Sequence, residues 1–335
     1  MTNKTFKYTI FIIYIVYMNL FLQLLLFIII LLIYIHIVHQ YKKSEDLEIY
    51  ELDYKDNQYL QEVCDVKQPS IFSFKNIQPD FYEAINSEKI EDMETLDVKV
   101  KDIQDYWKSD ESVDYVLLSH KSSQALMKTD TKGYYISEDN EQFIEDCGYY
   151  SIFNNCDSFL KPQMTVITKY DIMYGSKKSY IPFRYHNNYR YFISVNTGKI
   201  RVKMTPWKSS KYLYPISDYD NYEFKSPIDP WNTQRKFYSE MNKMKFLEFD
   251  LSEGQILYIP PYWWYTYQYQ DDNTILTNFT YNTVMNCVSN VKDLSLFYIQ
   301  QSNTKTKPAK TIDLSILTKE DEKNEDTTEK PVENL

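Results

Sequence analysis

A mainly β fold with flanking helices, preceded by one transmembrane helix, is what the sequence predicts, and three observations predict it. Residues 10–38, IFIIYIVYMNLFLQLLLFIIILLIYIHIV, are almost continuously apolar. From residue 163 to 283 the chain breaks into many short runs of alternating apolar and polar residues with turn residues between them, the pattern of a barrel or a sandwich. Within that region, residues 252–269 (SEGQILYIPPYWWYTYQY) pass from a turn at Gly254 through an apolar strand to Pro260 and Pro261, then along alternating aromatics. Two prolines remove two ladder donors, so two strands meet there at a corner.

Taken in order, residues 1–9 form an N-terminal cap. Residues 10–38 exceed the roughly 20 apolar residues needed to cross a hydrocarbon layer, and no small-residue cleavage pattern follows them, so they read as an uncleaved anchor in the lipid bilayer. Lys4 and Lys7 precede the run and Lys42 and Lys43 follow it, so the charge rule leaves the orientation open. Residues 39–57 are polar and acidic and read as a tether. The globular part, 58–301, begins with mixed signals: YLQEVCDV has helical spacing, QPSIFSF is a short strand, and DFYEAI is a helical turn. LDVKVKDI alternates like a half-buried strand, VDYVLLSH is a further strand, and residues 140–160 form a helical stretch broken near Gly148. Residues 181–205 read as a hairpin turning at Asn196, Thr197 and Gly198, followed by a polar, aromatic insertion over 206–244 and a last helix, VKDLSLFYIQQ. Residues 302–335 are charged and nearly free of aromatics, the composition of a disordered tail.

Composition bounds the function. A net charge of −10 with no basic patch gives no footprint for nucleic acid. Tyr 33 against Gly 5, with abundant Ile, Lys and Asn, fits AT-rich codons. The four cysteines, Cys64, Cys147, Cys156 and Cys287, have neither CxxC nor zinc-ligand spacing and read as free thiols. No phosphate-binding glycine loop, nucleophile elbow or HExxH pattern is present.

Residues 181–205 and 252–281 together resemble the cupin-like JmjC hydroxylases, the Fe(II)/2-oxoglutarate oxygenases in which an H-x-D pair on one strand and a distal His after a WW-like corner hold iron. The chain is also similar to membrane-anchored cupin-like proteins predicted in large DNA viruses. The resemblance implies a double-stranded β-helix. In the register set by Pro182, Phe192 and Gly198, the ligand positions fall on Arg184, His186 and Tyr265. Arginine is cationic with no lone pair to offer, so the triad reads as degenerate and the metal as absent. Beyond the exit of the apolar run the sequence has two histidines, His120 and His186, and a two-His, one-carboxylate centre would need both. Period-two alternation places Arg184, His186, Asn188 and Arg190 on one face. Together with Arg201 and Asn278, which matches the family's late Asn, Arg184 and Arg190 make a candidate anion or co-substrate pocket. The alternative is that Arg184 pairs internally with an acidic side chain as a structural cross-link. Trp263, Trp264, Tyr262, Tyr267 and Tyr269 read as core rather than as a ligand platform. The resulting expectation is a membrane-held, non-catalytic binding or structural module with no cofactor and an unidentified protein partner. An oxygenase, hydroxylase or demethylase using Fe(II) and 2-oxoglutarate at an atypical site is the alternative.

Overall fold

The computed structural model describes residues 2–86, 89–90, 93–108 and 112–303, and side chains from Tyr17 onward. The expected C-terminal tail lies outside the described residues apart from its first two. Helix α1 (Thr2–Gln40) carries the apolar run. It is followed by β1 (Tyr50–Leu52), α2 (Asn57–Cys64), β2 (Ser70–Ser73), α3 (Pro79–Ala84), β3 (Asp97–Asp102) and β4 (Val116–Ser119). Then come α4 (His120–Thr129), β5 (Tyr135–Ser137), α5 (Glu141–Asp146) and α6 (Tyr150–Leu160). The strand-rich half holds β6 (Thr165–Gly175), β7 (Arg184–Tyr185), β8 (Arg190–Thr197), β9 (Lys199–Thr205), β10 (Ile216–Asp218), β11 (Glu223–Lys225), β12 (Leu247–Ser252), β13 (Gln255–Tyr258), β14 (Trp264–Tyr269) and β15 (Ile275–Thr283). Two helices close the described chain, α7 (Val284–Ser289) and α8 (Val291–Ser302).

The strands form two sheets. The larger has the order β1-β2-β13-β8-β15-β6-β5-β3-β4 and the smaller β10-β11-β7-β14-β9-β12. The central strands alternate between them except at the middle, where β9 and β12 pair in the small sheet, so β6, β8, β13 and β15 lie in the large sheet and β7, β9, β12 and β14 in the small one. One apolar core fills the space between the sheets, with Ile193, Val195, Leu257 and Leu276 facing Val202, Met204 and Tyr267. A second lies between the outer face of the large sheet and helices α2 to α6, where Phe192, Phe279 and Tyr281 meet Phe81, Phe153 and Leu126. Trp263, Tyr267 and Tyr269 belong to the inner core, and Trp264 packs in a third cluster with Phe183 and Leu213. Tyr262 is half-buried.

Local chemistry explains the helical elements. Asp56 caps α2, its carboxylate accepting from the Tyr59 amide at 2.8 Å. Pro79 opens α3 where a missing N–H costs nothing. The proline corner also behaves as its chemistry dictates: Pro260 and Pro261 end β13, and the Trp263 amide closes a turn onto the Pro260 carbonyl at 3.2 Å before β14 starts in the other sheet.

Two expectations are corrected. Residues 181–205 are not a hairpin: β8 pairs with β13 and β15, whereas β9 pairs with β12 and β14. Gly198 between them is a corner that hands the chain from one sheet to the other. Its φ is +80°, and a Cβ there would lie 2.4 Å from Thr274 Oγ1 and 3.0 Å from Thr274 Cα. Gly198→Ala should therefore lower stability by about 2 kcal/mol, the left-handed penalty plus displacement of backbone, as read by denaturant unfolding followed by Trp fluorescence.

The acidic segment 39–57 is not a free tether. Strand β1 adds in parallel to β2, the Gln68 side chain donates to the carbonyls of Asp46 (2.7 Å) and Glu48 (2.6 Å), and Lys43 lies over the ring of Trp207 at 3.7 Å. At the foot of α1, the Tyr41 hydroxyl donates to the Ser289 carbonyl and the Asn286 amide reaches Gln40 at 3.5 Å. Polar composition suggested solvation, but the contacts run through main-chain carbonyls and one lysine stem, which composition does not reveal.

Candidate functional site: a buried arginine–carboxylate bridge between the sheets

The short strand β7 places Arg184 opposite Tyr265 of β14 in an antiparallel pair, so these two side chains share the inner face of the small sheet. His186, two residues on, points the same way and stacks on Tyr191 of β8 at 4.5 Å between ring centroids. Its ring is 6.2 Å from that of Tyr265, and the Arg184 guanidinium is 5.9 Å from the Tyr265 ring. The three positions picked out by the sequence therefore converge. They line a cavity of about 660 Å³ that also takes in Asn278 and Thr280 of β15, Asn188, and Leu294, Phe297 and Tyr298 of α8.

Arg184 is 9% exposed and anchored by two carboxylates. It donates to Glu138 from both terminal nitrogens, at 2.6 and 3.2 Å, and to Glu223 at 3.1 Å. Lys101, likewise buried, donates to Glu138 at 3.0 Å and to Asp139 at 2.7 Å. Burial by itself raises the Glu138 carboxyl, but Arg184 and then Lys101 outweigh it and hold it well below the usual carboxylate range. Glu223 shares the same guanidinium through one bond, and burial prevails there, pushing its carboxyl up. Burial works against the Arg184 charge too, yet Glu138 more than offsets it, so Arg184 remains a cation. Nearby, burial followed by the charge of Asp139 pushes the Asp171 carboxyl up to about 8, against two backbone N–H donors from Asn140 and Asp139.

His186 is neutral: burial lowers it to about 3. Its Nε2–H donates to the Ile259 carbonyl at 3.0 Å, which leaves Nδ1 as an acceptor. Burial keeps the Tyr265 phenol protonated. Asn278 donates to the Phe192 carbonyl at 3.0 Å and accepts from Thr280 at 2.7 Å, which fixes its amide.

The remaining members of the expected anion pocket are elsewhere. Arg190 lies on the outer face of the large sheet, where its guanidinium donates to Asp65 (2.5 Å) and to Gln61 Oε1 (2.8 Å) of α2 and its last turn. The inward parity that runs through Arg184, His186 and Asn188 shifts by one before Tyr191, because the chain changes sheet between β7 and β8. Alternation holds within one strand, so the crossing from β7 to β8 turns Arg190 outward where period-two spacing from Arg184 places it inward. Arg201 is on the solvent face of β9 and pairs with Asp250 at 3.0 Å. His120 stacks against Phe143 and Tyr174 in the outer core, so the large sheet separates it from His186 and the two cannot share a metal.

Glu138, Glu223, Lys101 and Tyr191 are the site residues that sequence reasoning missed. The only signal for the two glutamates is indirect: an inward arginine must find carboxylates, and nothing local says which ones.

A family model described as a cupin-like domain matches residues 55–287, well over half of the chain. The chain therefore belongs to the cupin-like domain family. No curated protein matches it. The iron that the wider fold implies requires two neutral imidazoles, a carboxylate and open positions. The donor set does not meet that requirement. Arg184 has no lone pair to offer, burial holds the Tyr265 phenol in its protonated form, His186 is a single imidazole, and Glu138 is taken up by Arg184 and Lys101. Among the described residues no three His, Cys, Asp or Glu side chains are grouped for a metal ion.

Proposed function

We propose that this chain is a membrane-anchored cupin-fold module that binds rather than catalyses, with its eight central strands as a double-stranded β-helix and the iron position replaced by a charged cross-link. The observation that carries the reading is the pair of carboxylates on Arg184: the guanidinium occupies the first ligand position of the resemblance and is neutralised from within the protein. The alternation of the central strands between two sheets supports the β-helix, and a helix over Tyr17–Gln40 that is long and apolar enough to cross a membrane supports the anchor.

The cavity retains polar atoms with no protein partner, namely the Nε–H of Arg184, Oε2 of Glu223 and Nδ1 of His186. These are one donor and two acceptors of opposite charge character. An anion would be repelled by Glu223 and a cation by Arg184, so the matching ligand group is neutral and both donates and accepts, as hydroxyls and amides do.

Calorimetric titration of the full chain in detergent, under anaerobic conditions, with Mn(II) or Fe(II) and then 2-oxoglutarate tests the loss of the metal site. The expected result is no saturable binding of either. Stoichiometric metal uptake that disappears in His186→Ala, followed by 2-oxoglutarate binding, would overturn the proposal in favour of an oxygenase.

A further inference from the structure

Helices α7 and α8 expose an apolar stripe that no part of the described chain covers. Val284, Val288 and Val291 recur at helical spacing and are 39%, 45% and 59% exposed, and Tyr298 and Ile299 continue the face at 62% and 64%. Asn290 is the joint between the two helices: its amide donates to the Asn286 carbonyl and its carbonyl accepts from the Leu294 amide, both at 3.0 Å. Helix α8 contains no fully buried residue although half of it is apolar. Beside it, Met164 and Val166 at the start of β6 are 73% and 57% exposed, and the Val284 amide joins the two groups by donating to the Met164 carbonyl.

The position of α1 identifies what covers this face. From Tyr17 to His36 every α1 side chain is exposed; the helix meets the domain only in its last turn, and it meets α7 there. A bilayer crossed by α1 ends beside α7. We propose that the α7–α8 stripe, with Met164 and Val166, lies in the interfacial layer of the phospholipid bilayer that α1 crosses, so that the domain rests on the membrane instead of standing off it. Exposed valine and isoleucine towards the acyl boundary, a tyrosine at headgroup level and Lys292 able to reach the phosphates fit that layer. The proposal rests on the anchoring reading. It has a consequence for the cavity: Leu294, Phe297 and Tyr298 are among its lining residues, so one wall of the cavity lies against the membrane surface.

Site-directed spin labelling of the full chain in phosphatidylcholine vesicles tests it. Cys147 and Cys287 are replaced by Ser, since they are partly accessible while Cys64 and Cys156 are buried. Labels are then placed by Val291→Cys, Ile299→Cys, Leu26→Cys in α1, and Asp272→Cys. Asp272 lies in the turn before β15, at the far end of that strand, roughly 25–30 Å from α7 at the rise of an extended chain. The expected result is that labels at 291 and 299 are relaxed more by oxygen than by a water-soluble nickel complex, as for Leu26, whereas the label at 272 shows the reverse. Nickel accessibility at 291 and 299 equal to that at 272 overturns the proposal. So does loss of accessibility to both reagents, which marks a protein cover such as a second copy. A label at Leu26 without oxygen preference, or protein that fails to float with the vesicles, shows instead that the anchoring reading is at fault.

Discussion

Arg184→Met should destabilise the domain by about 3–5 kcal/mol, the cost of leaving a buried carboxylate without its cation. Glu138 loses its closest donor, at 2.6 Å, and a second bond from the same guanidinium at 3.2 Å, and Glu223 loses its guanidinium bond, while Lys101 remains on Glu138 at 3.0 Å. The pH dependence separates this from a simple loss of packing. In the wild-type chain Glu138 is held below its ordinary value of 4.5, so its contribution is present above that value and is lost as pH falls below it. In the variant burial is opposed by Lys101 without Arg184, so the same carboxyl should move up from its wild-type position and the stability that it contributes above 4.5 should shrink. The deficit of Arg184→Met should thus be largest near neutral pH and shrink towards pH 4, as measured by urea unfolding at a series of pH values. A triple variant in which Glu138→Gln and Glu223→Gln accompany Arg184→Met should recover most of the loss, since neither carboxylate is then stranded and buried Lys101 keeps Asp139, at 2.7 Å, as its counter-ion. A deficit independent of pH, with no recovery in the triple variant, would show that Arg184 acts through its volume and not its charge.

The same residue shows how far the sequence could be read. Strict alternation made β3 and β14 legible, and the prolines at 260 and 261 located the corner that ends β13, because each signal is local and the backbone has no other way to satisfy it. The convergence of positions 184, 186 and 265 was legible through motif order. What surrounds Arg184 was not. Glu138 sits in the loop after a three-residue strand, and Glu223 opens another three-residue strand inside a segment that showed no period, so no local pattern marks either as facing inward. The misplacement of Arg190 has a different origin. Alternation is a property of one strand, and the chain leaves one sheet and enters the other between Asn188 and Tyr191, where the period is broken by a crossing that carries no residue signature of its own.

Lys67→Met should raise stability, and by an amount that depends on pH. Lys67 has no exposed surface, its ammonium has no hydrogen-bond partner among the described residues, and the face of the Tyr189 ring lies 5.0 Å away. Burial, reinforced by Arg190, lowers its pKa from 10.5 to about 7. A lysine displaced in this direction binds its proton in the unfolded chain over a range where the folded chain does not, so wild-type stability increases as pH rises from about 7 to about 10 and is at its lowest, and flat, below 7. At about 1.4 kcal/mol per pH unit the whole penalty has an upper bound of about 5 kcal/mol, and methionine, which keeps most of the volume, should recover about 2–3 kcal/mol of it at pH 7. The backbone does not confound the comparison: Lys67 has a φ of +65°, and lysine and methionine bear the same Cβ there. Thermal unfolding of both proteins at pH 7 and pH 10 reads the effect as a gain at pH 7 that closes by pH 10. A gain equal at both values would mean that Lys67 binds its proton alike in the folded and the unfolded chain, so that its charge carries none of the effect. A loss at both would mean that its ammonium has a partner worth more than its burial costs, and the foot of α1, where Lys67 meets His39 and Asp65, is where such a partner would have to lie.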